Sequence, residues 1–285
     1  MSRVETQASL GVFGSDLDFD SISGQLGVHA SHSHRKGDPG LTSRPYPQDL
    51  WLLESPLPRT EPMDAHLRWL RRTLGPHYGF LRRLKESAEV RSYCGLLADD
   101  RGSFQVSGEG LSVFTELGID MEIGLVFLGP ADSVLISEEL EPMDTRGAEA
   151  PEPRPEGCRT HSEVAFEVLG VGLDLTGISS HLGLESSKTH RLGEADRSGN
   201  AYATDSWCLV APLPPRDALD AHFKWLGMAL LGHSDFLRSL KGKGELLIRA
   251  DFRTESDTGG LSISPEGLKV STQLDVPMEF NAVLI

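Results

Sequence analysis

The sequence predicts an α+β protein made of two homologous units, each a mainly antiparallel sheet with about three to four helices packed on it. Three observations carry this prediction. The chain repeats itself at a fixed offset, each copy mixes short apolar strand-like runs with amphipathic helical stripes, and the connections between them are short. At an offset of 156, Gly14 and Leu17-Asp18 meet Gly170 and Leu173-Asp174, and His34-Arg35 meets His190-Arg191. In the same register Trp51 meets Trp207, and Pro56-Leu57-Pro58 meets Pro212-Leu213-Pro214. Between residues 63–86 and 219–242, 12 of 24 positions are identical, where unrelated sequences share about one or two. Toward the end the offset becomes 157, pairing Glu109-Gly110-Leu111 with Glu266-Gly267-Leu268. The repeats therefore span 1–129 and 162–285, with a linker over 130–161.

Each unit opens on an apolar strand, Ser9–Phe13 or Val164–Leu169, that ends at a glycine. Asp18 and Asp174 then supply cap side chains for a short helix closed by Gly27 or Gly183. His32–Arg35 and Trp51–Glu54 read as strands around a polar loop. Met63, Leu67, Leu70 and Leu74, matched by Leu219, Phe223, Leu226 and Leu230, recur at helical spacing and mark the second helix. A third helix is expected over Tyr78–Glu86, strands over Glu89–Leu97 and Phe104–Val106, a helix over Glu109–Leu117 opened by Ser107, and a closing strand over Ile119–Leu128.

Composition narrows the classes of function. The net charge is −15, which opposes a broad nucleic-acid surface, because phosphate recognition needs clustered cations. Acidic against basic side chains number 17 to 13 in residues 1–129, 8 to 3 in 130–161 and 17 to 11 in 162–285. The linker, with its Ala150-Pro151-Glu152-Pro153 tract, is thus the most acidic segment for its length and should be extended and mobile. No apolar run approaches the roughly 20 residues of a membrane span and no signal-peptide pattern opens the chain. The expected location is the cytoplasm, where Cys94, Cys158 and Cys208 stay reduced.

Two clusters could carry chemistry. Asp64 with His66, and Asp220 with His222, could form an acid–base pair beside Arg35 or Arg191 as anion holder. The competing structural account places both aspartates in the first turn of a helix and the histidines beside its buried stripe, with Arg35 and Arg191 pairing Asp18 and Asp174 or a strand end. No catalytic residue is assigned, since no nucleophile elbow, phosphate loop or paired-carboxylate motif accompanies the cluster, and no cofactor is implied. His29, His32 and His34 invite a metal reading, but the second copy has Glu185, Lys188 and His190 there, so no metal site is expected. Arg68, Arg71, Arg72, Arg82 and Arg83 form a basic helical face in the first copy. The second copy places Lys224, Gly227, Met228, Arg238 and Ser239 there, which singles this face out as a candidate partner surface.

The run Gly14-x-x-Leu17-Asp18, Ile22, Leu26-Gly27, His34-Arg35-Lys36-Gly37-Asp38, Trp51 and Asp64-Ala65-His66-Leu67 resembles the bacterial family catalogued as domain of unknown function 4279. The second copy repeats it, departing at Leu192-Gly193-Glu194. The resemblance implies no catalytic residues. The leading expectation is a non-enzymatic cytosolic protein-binding module, an intramolecular pseudo-dimer of the immunity type that masks a toxin by sterics and an acidic face. The alternative is a small-molecule enzyme or ligand-binding protein using Arg35, Asp64 and His66 and their counterparts. A third is a structural module that joins an assembly through open sheet edges.

Overall fold

A computed structural model of the chain describes residues 4–40, 44–128 and 159–285. The first repeat runs β1 (Val4–Gly14), α1 (Phe19–Leu26), β2 (His32–His34), β3 (Asp49–Glu54), α2 (Met63–Leu74), α3 (Tyr78–Leu84), β4 (Glu89–Ala98), β5 (Arg101–Val106), α4 (Gly108–Leu117) and β6 (Met121–Phe127). The second follows the same order: β7 (Thr160–Gly170), α5 (Leu175–Leu182), β8 (Lys188–His190), β9 (Asp205–Val210), α6 (Leu219–Leu230), α7 (Ser234–Leu240), β10 (Gly244–Thr254), β11 (Thr258–Ile263), α8 (Pro265–Leu274) and β12 (Met278–Leu284). The fold is α+β, as the sequence predicts, with four α-helices in each described repeat. The linker over 130–158 and Cys158 lie outside the described residues, and β7 begins within the last two residues of the predicted linker.

Local chemistry fixes the elements. Asp18 accepts a hydrogen bond from the Ser21 amide at 3.0 Å and Asp174 one from the Gly177 amide at 2.9 Å, so both first helices start where a carboxylate satisfies an orphan N–H. Gly27 and Gly183 close them at φ 66° and 65°, a left-handed conformation that costs glycine little. Ser107 and Ser264 cap α4 and α8 through the amides of Gly110 and Gly267. The predicted apolar stripes of α2 and α6 are buried throughout. Trp51 and Trp207 are fully buried, each indole N–H donating to a helix serine, Ser23 or Ser179.

The two six-stranded sheets have the orders β11-β6-β4-β1-β3-β2 and β5-β12-β10-β7-β9-β8. All pairings are antiparallel except β4 with β6 and β10 with β12. Each sheet takes five strands from one repeat and its sixth from the other. β5 pairs with β12 from Met278↔Val106 to Val283↔Arg101, and β11 pairs with β6 from Thr258↔Val126 to Ile263↔Met121. A hairpin between β4 and β5 is blocked because β1 and β6 already occupy both edges of β4. The chain crosses to the other sheet after Ala98, and again after Thr254.

This exchange changes where the core sits. Two units, each with helices packed on its own sheet, would each have an interior of its own. In the structure one continuous apolar cluster runs from Ala8 on β1 through Phe104, Val106 and Phe114 to Phe280 and Ala282 on β12. Helices α4 and α8 pack against each other across the junction. Gly108 permits that approach, since a Cβ there would lie 3.3 Å from Asp275 Cα and from the Ser271 carbonyl. No helix among the described residues is long and apolar enough to cross a membrane.

Candidate functional site

The polar residues singled out in the sequence separate into structural pairs. Arg35 forms an ion pair with Asp49 at 3.2 Å, donates to the Leu17 carbonyl and lies 3.7 Å over the Phe19 ring. Its acidic partner is thus Asp49 rather than Asp18, because Asp18 is committed to capping α1. Asp49 also accepts the amides of Leu17 at 2.8 Å and Lys36 at 2.7 Å. Burial pushes the Asp49 pKa up, yet those two amides and Arg35 outweigh it and hold it below its usual value. In the second repeat Arg191 donates to the Leu173 carbonyl at 2.6 Å, while Asp205 takes the amides of Leu173 and Leu192. Arg191 makes no ion pair with Asp174, which caps α5.

Asp64 and Asp220 stand in the first turns of α2 and α6, but their partners come from farther away. One oxygen of Asp64 accepts the Ser107 amide at 2.8 Å and its hydroxyl at 2.6 Å, and the other pairs with Arg68 Nε at 2.8 Å. Asp220 repeats this with Ser264 at 2.8 and 2.7 Å and with Lys224 Nζ at 2.6 Å. Each aspartate therefore orients the serine that caps the last helix of its repeat. Gly110 and Gly267 leave the room: a Cβ at either would come within 2.8 or 2.7 Å of that carboxylate.

His66 and His222 are buried, and neither ring nitrogen of either completes a hydrogen bond. Burial lowers both pKa values, against the opposing pull of the Glu61 and Pro58 carbonyls on His66 and of the Pro214 carbonyl and Asp217 on His222. Arg35, Asp64 and His66 are engaged separately: Arg35 by Asp49 and the Leu17 carbonyl, Asp64 by Ser107 and Arg68, and His66 by burial. A pH dependence follows. A histidine whose folded pKa lies below 6.5 takes up a proton more readily in the unfolded chain, so its contribution is complete above pH 6.5 and is lost as pH falls toward the folded value. His34 adds to this trend, while Glu122 and Glu167, raised by burial, oppose it. Urea midpoints of the wild type should therefore fall more steeply below pH 6.5 than those of a His66→Leu/His222→Leu double variant. Parallel pH curves would refute the assignment.

The basic helical face is partly consumed by internal bonds. Arg71 bonds Ser112 at 2.7 Å and Glu109 at 3.0 Å. Arg82 donates twice to the Glu116 carbonyl and Lys85 to the Leu117 carbonyl, holding the C-terminus of α4 where the helix dipole favours a cation. Arg238 and Lys241 do the same for α8 at Gln273 and Asp275. Arg82 and Lys85, whose cationic counterparts are Arg238 and Lys241, thus keep one structural task in both copies, whereas the bonds of Arg71 have no counterpart at Gly227. Arg72 and Arg83, replaced by Met228 and Ser239, are exposed, and Met228 is 79% exposed. Of the histidine group, His34 stacks on Tyr46 at 3.5 Å and His190 on Tyr202 at 3.6 Å, a paired feature that the repeat register alone could have revealed.

One concave surface has no counterpart in the sequence reading. A groove of about 870 Å³ opens where the repeats meet, lined from the first sheet by Glu89, Arg91, Tyr93, Glu122 and Gly124, and from the second repeat by Arg216, Asp217 and Phe252. A smaller cavity of about 100 Å³ shares Tyr93 and Gly124 and continues to Gly95, Leu97, Val126 and Glu54. Burial pushes the Tyr93 phenol up to about 12.

The register of elements in the first repeat is matched by a comparison with known families. Residues 4–128 match the model of a domain of unknown function, DUF4279. No curated protein matches the chain. The DUF4279 match begins at the first residue of β1 and ends one residue beyond β6, so its limits are those of one complete set of repeat elements. It includes Arg35, Asp49, Asp64 and Ser107, the residues that tie α1, α2 and α4 to their neighbours, and the groove-lining Tyr93 and Glu122.

Proposed function

We propose that the chain is a non-enzymatic binding protein for a basic protein partner, acting in the cytoplasm as an immunity-type protein that masks a toxin. In this reading the second repeat is a further copy of the DUF4279 unit, and the two form an intramolecular pseudo-dimer. The observation that carries the reading is the commitment of the polar candidates to the fold. Asp64 and Asp220 position helix caps, His66 and His222 are buried, and Arg35 is held by Asp49 and Leu17, which leaves no acid, base and anion holder facing one substrate. The net charge of −15 supplies the long-range attraction that steers a basic partner, an effect that weakens as salt rises.

The test is affinity capture from the source organism at low and at high salt, followed by co-expression of the recovered protein with and without this chain. The expected result is a basic partner that is released at high salt and whose growth inhibition is relieved by this chain. Failure to recover a partner, or unrelieved toxicity of the one recovered, would overturn the proposal.

A further inference from the structure

The two sheets differ on the face turned away from the apolar cluster. On β4, Val90, Cys94 and Leu96 point into that cluster, so Tyr93 and Gly95 face outward, as do Glu122 and Gly124 on β6. The strand registers align Gly95 with Gly124 and Gly124 with Gly260, setting three glycines in a row across β4, β6 and β11. A glycine inside a strand gives up packing and entropy, and it recurs where another backbone must approach closely. The corresponding row of the second sheet is Asp251, Asn281 and Ser103, in which Asn281 donates to Asp251 at 2.9 Å. One sheet has side chains where the other has a bare floor.

The neighbouring row gives the chemistry. In the first sheet Tyr93 aligns with Glu122, and in the second Arg249 aligns with Glu279 and also pairs with Glu167 at 3.0 Å. The second sheet thus supplies its own cation beside the glutamate, and the first has a phenol in that place. Glu122 makes no ion pair among the described residues. Burial raises its pKa, Arg91 lowers it, and Asp120 and Glu89 raise it further. The cations nearby are otherwise engaged: Arg91 pairs with Glu89 at 2.6 Å, and Lys85 bonds the Leu117 carbonyl. Arg216 lies on the exposed rim next to Asp217.

We propose that this glycine-floored trough seats an extended, lysine- or arginine-bearing segment of a protein partner, its cation pairing with Glu122 where Arg249 stands in the other sheet. The inference rests on the binding reading above and names the place where binding occurs. Gly124 and Gly260, the half-buried and the exposed members of the row, let the partner's backbone lie against the sheet, Tyr93 and Val126 flank it with apolar surface, and the carboxylate fixes its register. The second sheet differs: its equivalent row is filled, and Arg249, which pairs with Glu167, stands in register with its glutamate Glu279. The asymmetry between otherwise parallel repeats is thereby given a purpose: one sheet carries a cation in register with its glutamate, and the other leaves that place for a partner's.

The experiment uses the full chain and a fluorescein-labelled hexapeptide of alternating lysine and valine, with the glutamate–valine peptide as its counterpart. Fluorescence anisotropy at low salt should show saturable binding of the lysine peptide and none of the glutamate peptide. Glu122→Gln should weaken it by about tenfold, ~1.4 kcal/mol. Tyr93→Arg, which copies the residue in register with Glu279 in the second sheet, should weaken it at least as much, with its melting measured alongside because Tyr93 packs against Phe13. Gly260→Asn on the exposed edge strand tests the floor separately and should also reduce binding, whereas Asn281→Ala on the other sheet should not. Equal binding of the two peptides, or undiminished binding of the lysine peptide by Glu122→Gln and Tyr93→Arg, would overturn the proposal. If the partner captured in the experiment above still binds those variants, the trough is refuted and the binding reading stands. If no partner is captured either, both fall.

Discussion

Cutting the chain inside the linker should leave its two halves assembled. A site-specific protease sequence placed in the Ala150–Pro155 tract, once cleaved, should yield fragments that co-elute as one species of the intact mass, 31.0 kDa, and that separate only in denaturant. The reason is the strand exchange. Separating the halves would strip β5 from β12 and β11 from β6, exposing Phe104, Val106, Leu261 and Ile263, all buried in the intact chain. At about 1.5–3 kcal/mol for each buried apolar side chain, that loss rivals the whole stability of an ordinary domain, about 5–15 kcal/mol. The contact between α4 and α8 would be lost as well. Two fragments that elute apart while still folded would contradict the exchange. That is the outcome which independent units with separate interiors require.

Truncating one side chain at the exchange should unfold both repeats together. Phe280 on β12 is fully exposure-free at 0% and stacks with Phe104 of β5 at 5.2 Å, so the pair joins the two repeats through a single aromatic contact. Phe280→Ala is expected to cost about 3–5 kcal/mol, the range for deleting a buried aromatic ring. Because the cluster is continuous, the loss should be shared. Hydrogen exchange followed by mass spectrometry should show the amides of β1 and of β7 losing protection in parallel and by similar factors. Loss confined to β7, β9 and β10, with β1 and β3 unchanged, would show that the repeats unfold separately.

Much of the local structure is legible in the sequence because it rests on neighbours in the chain. Asp18 with Gly27, and Ser107 ahead of Glu109, announce helix ends through bonds spanning three or four residues, and the Met63–Leu74 stripe announces a buried helix face through its period. The roles of Asp64 and Arg35 are half legible. Their positions in a first turn and beside a strand follow from the pattern, whereas the partners Ser107 and Asp49 lie 43 and 14 residues away and depend on how the elements pack. The glycine row is invisible in one dimension, since Gly95, Gly124 and Gly260 become neighbours only through strand register.

By itself the sequence determined the internal match between its two halves, the α+β class and the order of elements. Each of these is encoded by residue type and short-range spacing. The tertiary structure alone decided which β5-type strand completes which sheet, and therefore that the repeats share one interior. The physical reason is degeneracy: β5 and β11 both alternate buried and exposed side chains, and either pattern suits antiparallel pairing with β6 or β12. Which of the two each strand joins is set only in the assembled sheets, where β5 lies on β12 and β11 on β6.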